Sequence, residues 1–425
     1  MKLILCAGLI LSLSVPSSAT SLLLQDVTVH VGDGRRLEHQ SVRVNHGRIE
    51  SLSQNTNQTA EKVLKLTGLH LYPGLIALGS SLGLVEIEGV RATRDQSEVG
   101  EFTPDVQSWS SINPDSELLA VARANGIAYA EATPQGGYVP GTSGLFALDG
   151  WTPEQMTLKG PAALHAYWPS HSINPLAKAD ARNPSGWKSP EDQHREREER
   201  VRHLSEFFAD AQAYSRLNHS RVTPPAFQAM LPVFRRDIPL AIHAEDARQI
   251  EAALKFADAF EVRLILYGGR DAWTLAEELA KRKVPVVYEH VHTLPPRDSD
   301  AFDVQYRAPS VLTQAGVELS LSLGGRFEAA SLRNLPYAVS QAMAFGLTET
   351  DGLRAITLNP ARVMRLSDRI GSIEPGKFAT FFASTGPLFD IRSQIKHMWI
   401  AGREVSLENR HTRLYEKYRQ RPPPP

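Results

Sequence analysis

Downstream of residue 20 the chain alternates apolar and polar positions in period two. "LLLQDVTVHVGDG", "SVRVNHGRIESLS" and "EKVLKLTGLHLYPG" read as short strands joined by Gly-Asp-Gly and Asn-His-Gly turns, as in a small antiparallel sheet. The same style returns near the C terminus in "GSIEPGKFATFFAS" and "IKHMWIAGREVS". Two strand-rich ends predict one β domain assembled from both termini, residues 20–70 with 368–408. The middle, residues 71–367, keeps a different rhythm. Apolar runs such as "GIAYAEATP", "PLAIHAE", "VRLILYGG", "VPVVYEHVHTLP" and "VELSLSLGG" end in polar or glycine residues. Amphipathic stretches such as "DARQIEAALKFADAF" and "DAWTLAEELAKRK" separate several of them. Repeated strand–helix units imply an α/β class with a parallel sheet, and their number favours a (β/α)8 (TIM) barrel over an open sheet. Chemistry then belongs at the C-terminal ends of the strands. One insert breaks the rhythm: a loop-like "NPLAKADARNPSGWKSP" precedes "EDQHREREERVRHLSEFFADAQAYSRL", a long helix with a solvated charged face. The tail, residues 409–425, ends in a polyproline run expected to be disordered.

Composition narrows the class. With 425 residues, 42% hydrophobic and 22% charged, the chain can bury a large core, and a net charge of −1 gives it no general affinity for nucleic acid or anionic membranes. Lys2, the apolar run Leu3 to Val15 and the small residues Ser17-Ser18-Ala19 read as a cleavable signal peptide, residues 1–19. That run is shorter than the roughly 20 residues of a spanning helix, so no membrane insertion is expected after cleavage. The expected location is the periplasm or the medium. The only cysteine, Cys6, lies in the leader. A mature chain without thiols has no disulfide, no thiol nucleophile and no cysteine-ligated metal.

Three stretches carry a family resemblance: "LYPGLI" (71–76), "LNPARVMRLSDRIGSIEPGKFA" (358–379) and "IAGREV" (400–405). In this order and spacing the chain resembles the amidohydrolase superfamily, in its imidazolonepropionase-like branch. "ATRDQSE" (92–98), "INPDSELLAVARANGI" (112–127), "LDGWTPEQMTLK" (148–159) and "RHTRLYEKYRQR" (410–421) are similar to an exported subgroup. The resemblance implies a distorted barrel with a composite β-sandwich. It also implies hydrolysis of a C–N bond by metal-bound hydroxide, since a metal lowers the pKa of its water toward ~7.

The implied ligands are His-x-His on the first barrel strand, single histidines on the fifth and sixth, and an aspartate after the eighth. In this chain they fall on Gly79 and Ser81, on His243, on Gly268 and near Gly324. Only His243 can bind a metal, and a zinc site needs about three protein ligands. Lys159 is the nearby candidate for a mid-barrel lysine. The expectation is therefore no cofactor. The alternative is zinc or another divalent metal on a relocated set, His243, His290 and His292. The last two stand two apart at the end of the seventh strand, where a regular strand points them to one face; capping histidines are the competing reading.

His243 beside Glu245 and Asp246 could serve in acid–base catalysis, or could be an ancestral histidine hydrogen-bonded in the mouth. Ser143 in "GTSG" reads as a turn residue. Arg270, Asp271 and Arg326 would line the mouth and suit a small polar ligand, or stand as ordinary exposed loop charges. Two functions follow. One is a ligand-binding or partner-stabilising pseudoenzyme, in a homo-oligomer or a hetero-oligomer with an active amidohydrolase. The other is a working hydrolase of non-peptide C–N bonds with a relocated metal or an acid–base site.

Overall fold

Both ends of the chain feed one sheet in the computed structural model, which describes residues 21–55, 59–181, 183–217, 224–325 and 327–422. The leader with Cys6, Arg326 and the last three prolines lie outside the described residues. Strand Ser21–His30 is the spine. It pairs antiparallel with Arg36–Asn45 on one edge, and in parallel with Lys62–Lys65 and then His70–Pro73 on the other. The C-terminal strands Phe381–Ser384, Ile395–Ile400 and Arg403–Glu404 extend the sheet from His70–Pro73. The Asn-His-Gly turn works because His46 and Gly47 both take positive φ, the backbone twist that suits a tight hairpin. Alternation sends Leu22, Leu24, Val42, Phe381 and Trp399 into one core, which is why period-two reading succeeds here.

The second sheet is a nearly closed barrel of eight strands: Leu75–Ser80, Ile127–Ala132, Gly141–Ala147, Thr157–Tyr167, Leu240–Ala244, Leu264–Gly268, Val286–Tyr288 and Leu319–Leu321. Here they are the first to eighth barrel strands. The eighth approaches the first, where the Ser322 hydroxyl donates to the Leu78 carbonyl. The expected all-parallel pattern fails at one place: the third strand runs antiparallel to both neighbours. Its linkers, residues 133–140 and 148–156, are too short for a parallel crossover, which needs roughly a dozen residues or more.

The charged insert is helix Pro190–Ser215, capped by Ser189. It buries only Leu204, Phe208 and Ala211, and pairs Arg200 with Glu196 and Arg202 with Glu206 on its solvent face. No helix among the described residues is long and apolar enough to cross a membrane.

Candidate functional site

The C-terminal ends of the barrel strands surround a cavity of about 770 Å³ lined by Gly79, Tyr167, Trp168, His243, Glu245, Arg270, Glu289, Gly324 and Glu328, among others. Behind its wall runs a chain of buried polar side chains. Glu131 on the second strand and His165 on the fourth are fully buried. Glu131 Oε1 lies 3.2 Å from His165 Nε2 and accepts from the Ser143 hydroxyl at 2.6 Å. Its Oε2 accepts from the Tyr267 hydroxyl at 2.7 Å and from the Gly79 amide at 2.9 Å. Burial alone would raise the Glu131 pKa. The bonds from His165, Ser143 and Gly79 outweigh it and hold the carboxylate below its usual range.

An ionised Glu131 fixes two tautomers in series. It requires a proton on His165 Nε2, and where that ring carries only this proton, His165 Nδ1 accepts from His243 Nε2 at 2.9 Å. The remaining nitrogen of His243, Nδ1, is then a lone-pair acceptor. The ring stacks on Tyr167 at 4.0 Å and lines the cavity. Burial and the neighbouring His165 hold the His243 pKa well below its ordinary value, so the ring is neutral at pH 7.

On the opposite side, Glu245 lies 2.6 Å from His290 Nε2 and accepts from the Arg270 amide at 3.3 Å. These contacts, with the charge of Arg270, outweigh burial and lower the Glu245 pKa. Glu289 differs. Its Oε1 is shut off from solvent without a hydrogen-bond partner. Burial and the nearby carboxyls of Glu245, Glu328 and Glu131 push its pKa well up. Glu328 is 6% exposed and accepts from the Ser81 amide at 2.8 Å and from the Ser81 hydroxyl, while its Oε2 is unpartnered. Burial raises its pKa to about 7.

The positions that the resemblance assigns to metal ligands sit around these carboxyls. A Cβ on Gly79, whose φ is +69°, would stand 2.5 Å from Glu289 Oε1. One on Gly268, φ +81°, would stand 2.6 Å from Glu245 Oε1, and one on Gly324 would lie 3.0 Å from Glu289. Ser81 is spent on Glu328. These side chains do not fit a centre with ligands on the first, sixth and eighth strands.

His243 does lie on the fifth strand, whereas His290 and His292 follow the end of the seventh. The seventh strand ends at Tyr288, and the Thr293 amide bonds the His290 carbonyl at 2.9 Å to make a turn. Strand alternation therefore does not apply to His290 and His292. His290 faces Glu245, and His292 is exposed. No group of three or more His, Asp or Glu among the described residues could hold a metal ion.

Asp271 is 2% exposed and gripped by both Arg297 guanidinium nitrogens, at 2.8 and 2.9 Å. It is a buried loop anchor rather than an exposed charge. Arg270 and Asp271 both line the cavity. Asp246 caps helix Ala247–Ala259 instead of joining His243. Lys159, near the start of its strand and away from the mouth, donates to the Met364 carbonyl at 2.8 Å. Ser143 belongs to the third strand, not to a turn. Sequence reading missed Glu131 and Glu328. Glu131 had a signal, a lone charge inside the apolar run "IAYAEA".

The amidohydrolase family model matches residues 161–405. A solved amidohydrolase from Thermotoga maritima MSB8 superposes with a TM-score of 0.78 at 25% identity, covering 91% of this chain and 99% of that one. A prolidase complexed with N-methylphosphonate-L-proline gives 0.56 at 14% identity, over 91% and 99% of the two chains. A β-aspartyl dipeptidase from Fervidobacterium islandicum AW-1, in complex with β-Asp-Leu dipeptide, gives 0.52 at 15%, over 91% and 96%. The last two likenesses concern the fold alone. No curated protein sequence matches the chain. With the family model spanning more than half of its length, the chain belongs to the amidohydrolase family.

Proposed function

We propose that this chain is an exported family member whose barrel mouth binds a small polar ligand without metal-hydroxide chemistry, as a ligand-binding or partner-stabilising pseudoenzyme. The observation that carries this reading is the seat of Glu289. Its carboxyl fills the space that side chains at Gly79 and Gly324 would need. His243 is the one imidazole at an expected ligand position, and zinc needs about three protein ligands. Export rests on Lys2, the Leu3 to Val15 run and Ala19, and N-terminal sequencing of the secreted or periplasmic chain checks it.

The test is metal content with turnover. The mature chain, purified from medium supplemented with zinc, manganese and iron, is expected to hold far less than one metal per chain. It is also expected to leave β-Asp-Leu and prolyl dipeptides intact. Stoichiometric metal that disappears in His290→Ala/His292→Ala would overturn the reading.

The Glu131–His165–His243 chain favours a second reading, metal-free acid–base hydrolysis with His243 as the base. Measured turnover that survives chelation and is abolished by His243→Ala would select it.

A further inference from the structure

The cavity lining holds two unpartnered carboxyl oxygens, beside two unpartnered donors, Trp168 Nε1 and Arg270 Nε. Glu289 Oε1 and Glu328 Oε2 are both buried without partners, although almost all buried polar atoms in native proteins are paired. His243 Nδ1 adds a third acceptor, because Glu131 and His165 fix the proton on its other nitrogen. Among the described residues no cation shifts either carboxyl. Arg297 is spent on Asp271. Arg270 acts on Glu245, which is already matched to His290. Burial and three neighbouring carboxyls oppose charge on Glu289 and raise its pKa, which a cation seated there would relieve.

We infer that the Glu289–Glu328 floor recognises a primary ammonium group carried by the ligand, seated against these two carboxyls and His243. This rests on the ligand-binding reading and names the chemistry of what binds. A primary ammonium carries three N–H donors and no acceptor, matching three acceptors. Spacing separates it from a metal. A metal ion needs ligand atoms about 2.0–2.6 Å away, and no three such groups converge that closely among the described residues. N–H···O contacts reach about 2.7–3.2 Å and tolerate wider spacing. Charge-assisted contacts of this kind are also stronger than neutral ones.

The experiment is titration calorimetry on the full mature chain with n-butylammonium, tetramethylammonium and n-butanol. The expected result is saturable binding of n-butylammonium, weaker by at least about tenfold for the other two. Tetramethylammonium keeps the charge but lacks N–H donors; n-butanol keeps the chain but lacks the charge. Glu289→Gln/Glu328→Gln is expected to lower n-butylammonium affinity at least about tenfold, whereas Glu196→Gln on the exposed insert helix leaves it unchanged. Circular dichroism establishes folding, and single Glu289→Gln replaces the double variant if that does not fold. Absence of saturable n-butylammonium binding, equal binding of either control, or a folded carboxamide variant of unchanged affinity overturns the inference. A metal-free, inactive chain that ignores n-butylammonium defeats this inference alone, whereas stoichiometric catalytic zinc defeats the functional reading beneath it.

Discussion

Glu131 and Glu289 both meet Gly79, one through its amide and the other where a Cβ would stand, yet their pKa values are driven in opposite directions. Glu131 receives bonds from Ser143, Tyr267, the Gly79 amide and His165, and stays ionised. Glu289 has an unpartnered oxygen and three carboxyl neighbours, and its pKa is pushed well up. Burial penalises both equally in kind, so the partners decide the outcome. One side of the mouth is thus a satisfied, rigid network, and the other holds unspent acceptors.

Removing the partnered carboxylate should do the most damage. Glu131→Ala strands two hydroxyls, one backbone amide and a histidine in a fully buried setting. The expected cost is about 3–5 kcal/mol, read from the denaturant midpoint. A loss below about 1 kcal/mol would mean that the two sides are energetically alike.

The unpartnered side should announce itself through pH. The native state holds Glu328 at about 7 instead of 4.5, so it keeps a proton that the unfolded chain has released. Stability from this group is full below the unfolded pKa and is lost as pH rises from 4.5 towards 7. The loss is on the order of 3 kcal/mol at 1.36 kcal/mol per pKa unit. Glu328→Gln should flatten the stability curve over that window. An unchanged slope would remove the distinction drawn between the two sides.

Gly79 sharpens the boundary with the smallest effect. Its amide serves Glu131, while an added Cβ would press on Glu289 Oε1 at 2.5 Å and suffer the positive φ. Gly79→Ala should cost about 1–3 kcal/mol, measured by chemical denaturation. Most of it should be recovered in Gly79→Ala/Glu289→Ala if the clash, rather than the backbone, dominates.

Much of the fold was readable along the chain because strand and helix periods are local. The hairpins of the terminal β domain, most barrel strands and the insert helix follow from alternation, turn residues and caps, whereas strands Gly141–Ala147 and Thr157–Tyr167 were not read, and Ser143 in the first of them read as a turn. The antiparallel third strand was readable in principle, from linkers too short to cross over. The glycines at 79, 268 and 324 could be placed by resemblance, since they lie on strand ends whose order the sequence preserves.

What filled the space above those glycines could not be read that way. Glu245 and Glu289 follow the ends of two different strands, and Glu328 opens a short helix after the eighth. Their charge states depend on which groups meet them across the barrel, and no local pattern encodes that. Nor could spacing reveal that His290 and His292 part company, because the strand stops at Tyr288 and a turn takes over. The sequence by itself determined most of the strands, the family resemblance and the lack of imidazole at every expected position except His243. Only the tertiary structure decided that carboxyls occupy the mouth and that one is partnered while its neighbour is not, because hydrogen bonding and desolvation act between residues far apart in the chain.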